Sequence, residues 1–263
     1  MQLIQKFSPS MMIDYLNCPK LFYYRYIAKI QLPQKKIHLE FGSAVHAAIE
    51  DSFDGKDPHK AFTDTFNINN LLPEEHDLFE EYTELGHEMV TNWIDRLDMI
   101  DGIYDIRKGQ SELYIRKVLS NPITGESFEI PMSGRIDRLT DSKRIIEFKT
   151  AGKPWNDADL NFKLQTNLYC LWYWNEYGEM PEEIVYIVLL KKYKNKEELV
   201  KNYKKDQYIQ ILPLHLTIED LASTFEEVKV LLDKINNREF DEPNGYHPSW
   251  CDCRKYEEIL NIH

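Results

Sequence analysis

The sequence predicts an α/β fold in which a central mixed β-sheet is flanked by helices and carries a helical insertion. Three observations support this. Apolar side chains recur at helical spacing up to about residue 110, and from Ser111 the period changes to the alternation of strands. A long amphipathic helix then separates the first strands from two later ones.

Each element follows from its own stretch. "SPSMMIDYLNCPKLFYYRYI", residues 8–27, opens on serines that suit a helix cap and breaks at Pro19, and aromatic residues crowd the next helical turn. "LEFGSAVHAAIEDSF", residues 39–53, reads as a second helix with His46 and Glu50 one turn apart on one face. Residues 56–100 are helical and polar, with Trp93 and Leu97 among the expected core positions. Residues 111–119, 127–139 and 144–150 read as three strands joined by the turns "PITGE" and "TDSK", an antiparallel meander. Residues 156–178 form the long helix ending at Gly178. Strands at 182–192 and 206–214 and a helix capped by Thr217 follow. The expectation is one domain over 1–263, with a helical cap at about 56–110.

Composition narrows the class. At 263 residues and 43 % apolar, with sixteen tyrosines and five tryptophans, the chain can bury a full core and is not disordered. No apolar run approaches the ~20 residues of a membrane span, and "MQLIQKFSPS" lacks the apolar stretch of a secretory signal, so a cytoplasmic protein is expected. The net charge of -12 argues against a protein that merely coats nucleic acid, but not against an enzyme with a local binding groove. Residues 191–205 hold seven lysines against two glutamates; a solvated surface is the commoner meaning of such a run.

The chemistry concentrates in "SGRIDRLTDSKRIIEFKTA", residues 133–151. In a strand, residues i and i+2 share a face, so Glu147 and Lys149 project together while Phe148 turns away. Asp137 lies on the preceding strand, across a short turn, where the three side chains can meet. A lone buried carboxylate is costly unless paired. Two carboxylates make a hard-oxygen site suited to Mg²⁺ or Mn²⁺, and a neighbouring lysine can stabilise a phosphate or orient a water. Taken singly, a Glu-x-Lys pair on a strand is more often structural.

Further elements appear in a consistent order. "SPSMMIDYLNCPKLFYYRY", "GSAVH" with His46, a strand glutamate at Glu112, "GRID" with Asp137, "EFKT" with Glu147 and Lys149, and "QTNLY" with Gln165 and Tyr169 succeed one another from Ser8 to Tyr173. In this the chain resembles the PD-(D/E)xK nuclease superfamily, in the RecB-like branch related to CRISPR-associated adaptation nucleases and phage or mitochondrial RecB-type exonucleases. The resemblance implies a restriction-endonuclease-like core. It implies that His46, Asp137, Glu147 and the main-chain carbonyl of Phe148 bind Mg²⁺ or Mn²⁺, that Lys149 is catalytic with Asp137 and Glu147, and that Glu112 acts from outside the ligand set. Gln165 and Tyr169 would touch DNA, and Lys191, Lys192 and Lys194 would track its backbone.

The branch's iron–sulfur form uses one cysteine after the first helix and three near the C-terminus, spaced Cys-x-x-Cys-x(5)-Cys. Cys18 and Cys251 match two of the four positions, while Pro248 and Glu257 stand at the others, so an iron–sulfur cluster is not expected. Cys18, Cys251 and Cys253 read as a degenerate remnant or, with His247, as a Cys₃His zinc site. Cys170, in an apolar helix, reads as a small buried hydrophobe.

The resulting expectation is a metal-dependent deoxyribonuclease, an exonuclease on single-stranded ends in DNA repair, recombination or phage DNA processing. A catalytically silent scaffold that binds DNA ends or a recombination partner is the alternative. A hydrolase of small phosphoesters is the third reading.

Overall fold

The computed structural model describes residues 2–32, 34–155, 163–191, 208–241 and 251–260. Lys192, Lys194, His247 and Pro248, most of the lysine-rich stretch, and the first seven residues of the helix expected over 156–178 lie outside them.

The N-terminal third is helical. Helix α1 (Pro9–Asn17) is capped by Ser8, whose Oγ accepts the Met11 N–H at 3.2 Å. Such a cap contributes about 1 kcal/mol over alanine. The chain extends at Cys18 and re-enters a helix at α2 (Pro19–Phe22), which continues as a π-turn over Tyr23–Ile27. Helices α3 (Ile37–Phe53), α4 (Pro58–Thr65) and α5 (Phe79–Tyr104) follow.

The sheet has five strands in the order β1-β2-β3-β4-β5: Gly109–Lys117, Met132–Thr140, Arg144–Ala151, Glu183–Leu190 and Ile209–Leu214. β3 and β4 are parallel and every other pair is antiparallel, so the sheet is mixed as expected. Helix α6 (Lys163–Tyr177) lies in the β3–β4 crossover that a parallel pair requires. Helix α7 (Ile218–Asn236) opens on a reciprocal capping box between Thr217 and Asp220, and α8 (Cys253–Leu260) is the last described helix.

The second strand is shorter than its pattern predicts: it starts at Met132, not at residue 127. Residues 119–128 instead close a small turn, with Phe128 N–H on the Leu119 carbonyl at 3.0 Å and a bridge between Ser120 and Ser127. The Pro131 carbonyl is taken by the Phe7 N–H at 3.1 Å, so the N-terminal segment competes for this edge.

The sheet is covered on both faces. On one, Ile136, Ile145 and Ile184 pack with Met12 of α1, Leu168 of α6 and Phe225 of α7. On the other, Ile146, Phe148, Val185 and Ile187 pack with Phe41 of α3, Phe62 of α4 and Trp93 of α5. The segment 56–104 thus supplies part of the helical layer of the sheet itself, with Trp93 fully buried and Leu97 buried.

Candidate active site and metal centre

The site forms where β2 and β3 part. Their ladder holds only at Arg138↔Ile146 and Leu139↔Ile145. Beyond it the Phe148 N–H donates to the Asp137 carboxylate at 2.8 Å instead of to a β2 carbonyl. The alternation of β2 also breaks here. Ile136 packs in the core beside α6, whereas the Arg138 guanidinium lies over the Phe53 ring, 4.4 Å from its centroid, on the α3 side. On β1, Glu112 is the residue opposite Asp137 and takes a left-handed φ of 51°, and the paired register skips both. A left-handed conformation is strained for a non-glycine residue and collects at functional sites. Directly opposed carboxylates repel unless a cation lies between them.

Three carboxylates, a histidine and a lysine gather at this break. His46, on α3, places Nδ1 3.7 Å from Asp137 Oδ2, and its ring stands edge-on to Phe148 at 6.3 Å. One ligand atom from each of His46, Glu112 and Asp137 lies within 4.8 Å of the others. Glu112, expected outside the ligand set, therefore stands with two of the expected ligands, His46 and Asp137, in a group that does not include Glu147. Arg135, which the sequence reading did not single out, reaches Glu112 Oε2 with Nη1 at 3.3 Å. Its only signal in the sequence was its place within "GRID".

Glu147 is completely buried. Its Oε2 accepts from Lys149 Nζ at 3.2 Å and from Gln165 Nε2 at 3.1 Å. Its Oε1 is buried with no hydrogen-bond partner among the described residues. Burial, and then the Asp137 carboxylate, raise the Glu147 pKa against the opposing pull of Lys149. Lys149 is itself raised, because Glu147 and Asp137 outweigh its own burial. A buried carboxylate with an orphaned oxygen beside a second carboxylate is costly without a cation. The oxygen-rich donor set, with one imidazole, fits a hard divalent ion.

Gln165 and Tyr169 approach from α6, on the opposite side of the sheet from His46. Gln165 binds Glu147, and the Tyr169 hydroxyl donates to the Arg135 carbonyl at 2.8 Å. Gly134 is required beneath Tyr169, since a Cβ there would stand 2.9 Å from the tyrosine ring. Phe148, between Glu147 and Lys149 in β3, turns its ring onto Trp93 at 5.5 Å.

Two expected groups sit apart. Lys191 is half-buried, its ammonium 4.7 Å from the Phe41 ring centroid and 5.4 Å from that of Tyr82, and burial lowers its pKa to about 8. The thiols of Cys18, Cys251 and Cys253 converge within 4.8 Å of one another. Cys18 Sγ is 3.3 Å and Cys251 Sγ 3.1 Å from Cys253 Sγ, and the Leu21 N–H donates to Cys18 Sγ at 3.3 Å. This second cluster is thiol-rich and suits a thiophilic ion, unlike the oxygen-rich site on the sheet. Cys170 is buried and separate, as expected.

No curated protein matches the sequence. A solved structure from Eubacterium rectale, provisionally assigned as an exonuclease, superposes with a TM-score of 0.56 at 15 % identity, covering 96 % of this chain and 88 % of the other. The protein designated SSO0001 matches at a TM-score of 0.38 and 11 % identity over 86 % of this chain and 76 % of its own, too distant to carry an argument. The first likeness establishes a shared fold. The family model of the PD-(D/E)XK nuclease superfamily spans residues 6–256, from α1 through the carboxylates of β2 and β3 to α8, and the chain belongs to that superfamily.

Proposed function

We propose that the protein is a metal-dependent deoxyribonuclease of the RecB-like branch, an exonuclease that hydrolyses phosphodiester bonds from single-stranded DNA ends. The observation that carries this reading is the buried Glu147 carboxylate, with one oxygen unpartnered, between Lys149 and Asp137. The provisional assignment of the Eubacterium rectale neighbour supports the exonuclease part.

His46, Asp137, Glu147 and the Phe148 carbonyl, joined by Glu112, are the residues that would hold Mg²⁺ or Mn²⁺. Such an ion supplies charge neutralisation on the phosphate and acidifies a water. The chain's own groups do the rest. Lys149 stands ready to bind a phosphate oxygen or to orient the attacking water. Gln165 fixes the Glu147 oxygen that Lys149 shares, and Tyr169, anchored on Arg135, borders the strand. Lys191, with Lys192 and Lys194, would follow the backbone. The 56–110 segment bounds the entry from the α3 side, favouring a threaded end. Work on DNA in repair, recombination or phage DNA processing, in the cytoplasm, fits this chemistry.

End-labelled single- and double-stranded oligonucleotides, incubated with Mg²⁺, Mn²⁺ or EDTA, test the reading. Metal-dependent shortening by the wild type, absent from Lys149→Ala, is expected. Binding without cleavage by either protein would leave a DNA-end scaffold instead.

A further inference from the structure

A sizeable cavity lies away from the carboxylates, at the N-terminal end of α3. It measures about 730 Å³, within the ~300–1,000 Å³ of ligand sites, and is lined by residues 30–32 and 34–36, Leu39, Leu72, Glu74 and the start of α8. Among the described residues Arg25, Lys35, Lys36 and Lys255 line it with Glu74 and Asp252, and Lys35 pairs with the buried Glu40 at 3.1 Å, in a chain whose net charge is -12. A local cationic concavity on an acidic protein focuses field and attracts a polyanion.

The cavity wall is braced. Arg25 donates Nη1 to Asp14 at 3.0 Å and Nε to the Tyr256 hydroxyl at 3.3 Å, with Nη2 3.8 Å from Asp252. Lys36 Nζ stands 2.7 Å from Asp252 Oδ1, linking α3 to α8. Lys255 makes no ion pair among the described residues.

The cavity is joined to the catalytic cluster along one side of α3. His38, Leu39 and Ser43 are exposed, and Gly42 and His46 half-exposed, so Lys36 through His46 form a continuous open stripe. It carries no acid before Glu50, and small residues keep it low. The ten steps from Lys36 to His46 span about 15 Å at roughly 1.5 Å each. That distance corresponds to about four nucleotides at the ~3.4 Å rise of one DNA strand. Burial, then Lys191 and Lys36, lower the His38 pKa against the pull of Glu75 and Asp252, so His38 lies in the field of both lysines.

The geometry points to a strand-docking subsite: the cavity between α2, α3 and α8 holds the phosphate backbone of the single-stranded DNA whose scissile bond lies at His46, Asp137 and Glu147. This rests on the nuclease reading above and deepens it, because it makes affinity depend on strand length.

Fluorescence anisotropy with a labelled dT₁₅ strand, in EDTA so that cleavage plays no part, tests the subsite. A dT₃ strand, too short to reach both places, is the comparison. Lys255→Ala, Lys36→Ala and the double variant are measured with the full chain, and thermal melts confirm folding. Lys255→Ala keeps the Lys36–Asp252 pair and so serves if Lys36→Ala unfolds. The double variant is expected to weaken dT₁₅ binding at least tenfold, dT₃ binding less than twofold, and the salt slope by about one unit per lysine. With Mg²⁺, KM on dT₁₅ should rise while kcat holds. If the wild type binds and cuts but folded variants bind dT₁₅ as it does, the subsite is wrong and the nuclease reading stands. If the wild type neither binds nor cuts DNA, both fall.

Discussion

The Asp137 carboxylate accepts the Phe148 backbone N–H at 2.8 Å, replacing the next rung of the β2–β3 ladder. The same oxygen, Oδ2, is the one 3.7 Å from His46 Nδ1, so a single atom ties the sheet's opening to α3. Replacing that charge separates stability from function. Asp137→Asn keeps the shape and an acceptor oxygen while removing a negative charge beside Glu147 and opposite Glu112. Cleavage should fall by at least about 10²-fold. In EDTA the melting temperature should hold or rise by roughly 2–4 °C, since about 1 kcal/mol of repulsion is relieved. Stabilisation by Mg²⁺ or Mn²⁺ in the wild type should vanish in the variant. Retention of that metal-induced shift would remove Asp137 from the ligand set.

Lys149 and Glu147 form a pair in which the carboxylate is fully buried and the lysine half-buried. Removing the lysine leaves a carboxylate in the interior with only Gln165 and an orphaned oxygen. Lys149→Ala should therefore cost about 3–5 kcal/mol of stability without metal, together with a ~10²–10⁴-fold loss of cleavage. DNA affinity in EDTA should move little, because the lysine acts on the transition state more than on the bound strand. A variant that melts with the wild type would show that the pair is not buried in solution.

Much of this was legible in the sequence because it is local. Ser8 and Thr217 announce their helices by caps that act within three residues, and Glu147 and Lys149 share a face through the period of one strand. The short turn between β2 and β3 led to the expectation that Asp137 lies near them. The left-handed Glu112 and the break in alternation at Asp137 were not legible, because they depend on how three strands are paired. The layer formed by α4 and α5 was hidden for a related reason: a polar helix pattern does not reveal which sheet face its few apolar residues cover. The convergence of Cys18 on Cys253, 235 residues apart, is a product of the whole fold.

Gly134 and Tyr169 offer a test of positioning without charge. Gly134→Ala would drive a methyl group into the tyrosine ring, disturbing the hydroxyl contact to Arg135 and, through Gln165, the Glu147 carboxylate. The expected result is a roughly tenfold fall in kcat with a smaller change in KM, a split that plain destabilisation would not produce. Gly102→Ala is the control. Nothing lies within 4 Å of its would-be Cβ in α5, so it should stabilise by about 0.5–1 kcal/mol and leave kcat alone. Equal kinetics in both variants would separate Tyr169 from catalysis.

The junction of α4 and α5 should respond to pH. His59 and His87 place their Nδ1 atoms 3.0 Å apart, beside the Phe62 ring, with Thr91 on His59 and Thr63 on His87. Burial and then His59 lower the His87 pKa below 6.5, and Asp57 opposes them. In the sign of the linkage, the unfolded chain binds the proton first as pH falls, so this contribution is whole above 6.5 and is lost on acidification toward the lower folded value. A His87→Gln variant should show a shallower fall in melting temperature between pH 7 and pH 5, by roughly 2 °C or more. The difference should disappear above pH 7.5, where the His87 imidazole is neutral. Parallel profiles for the two proteins across that range would mean that the histidine pair contributes nothing to holding α4 on α5.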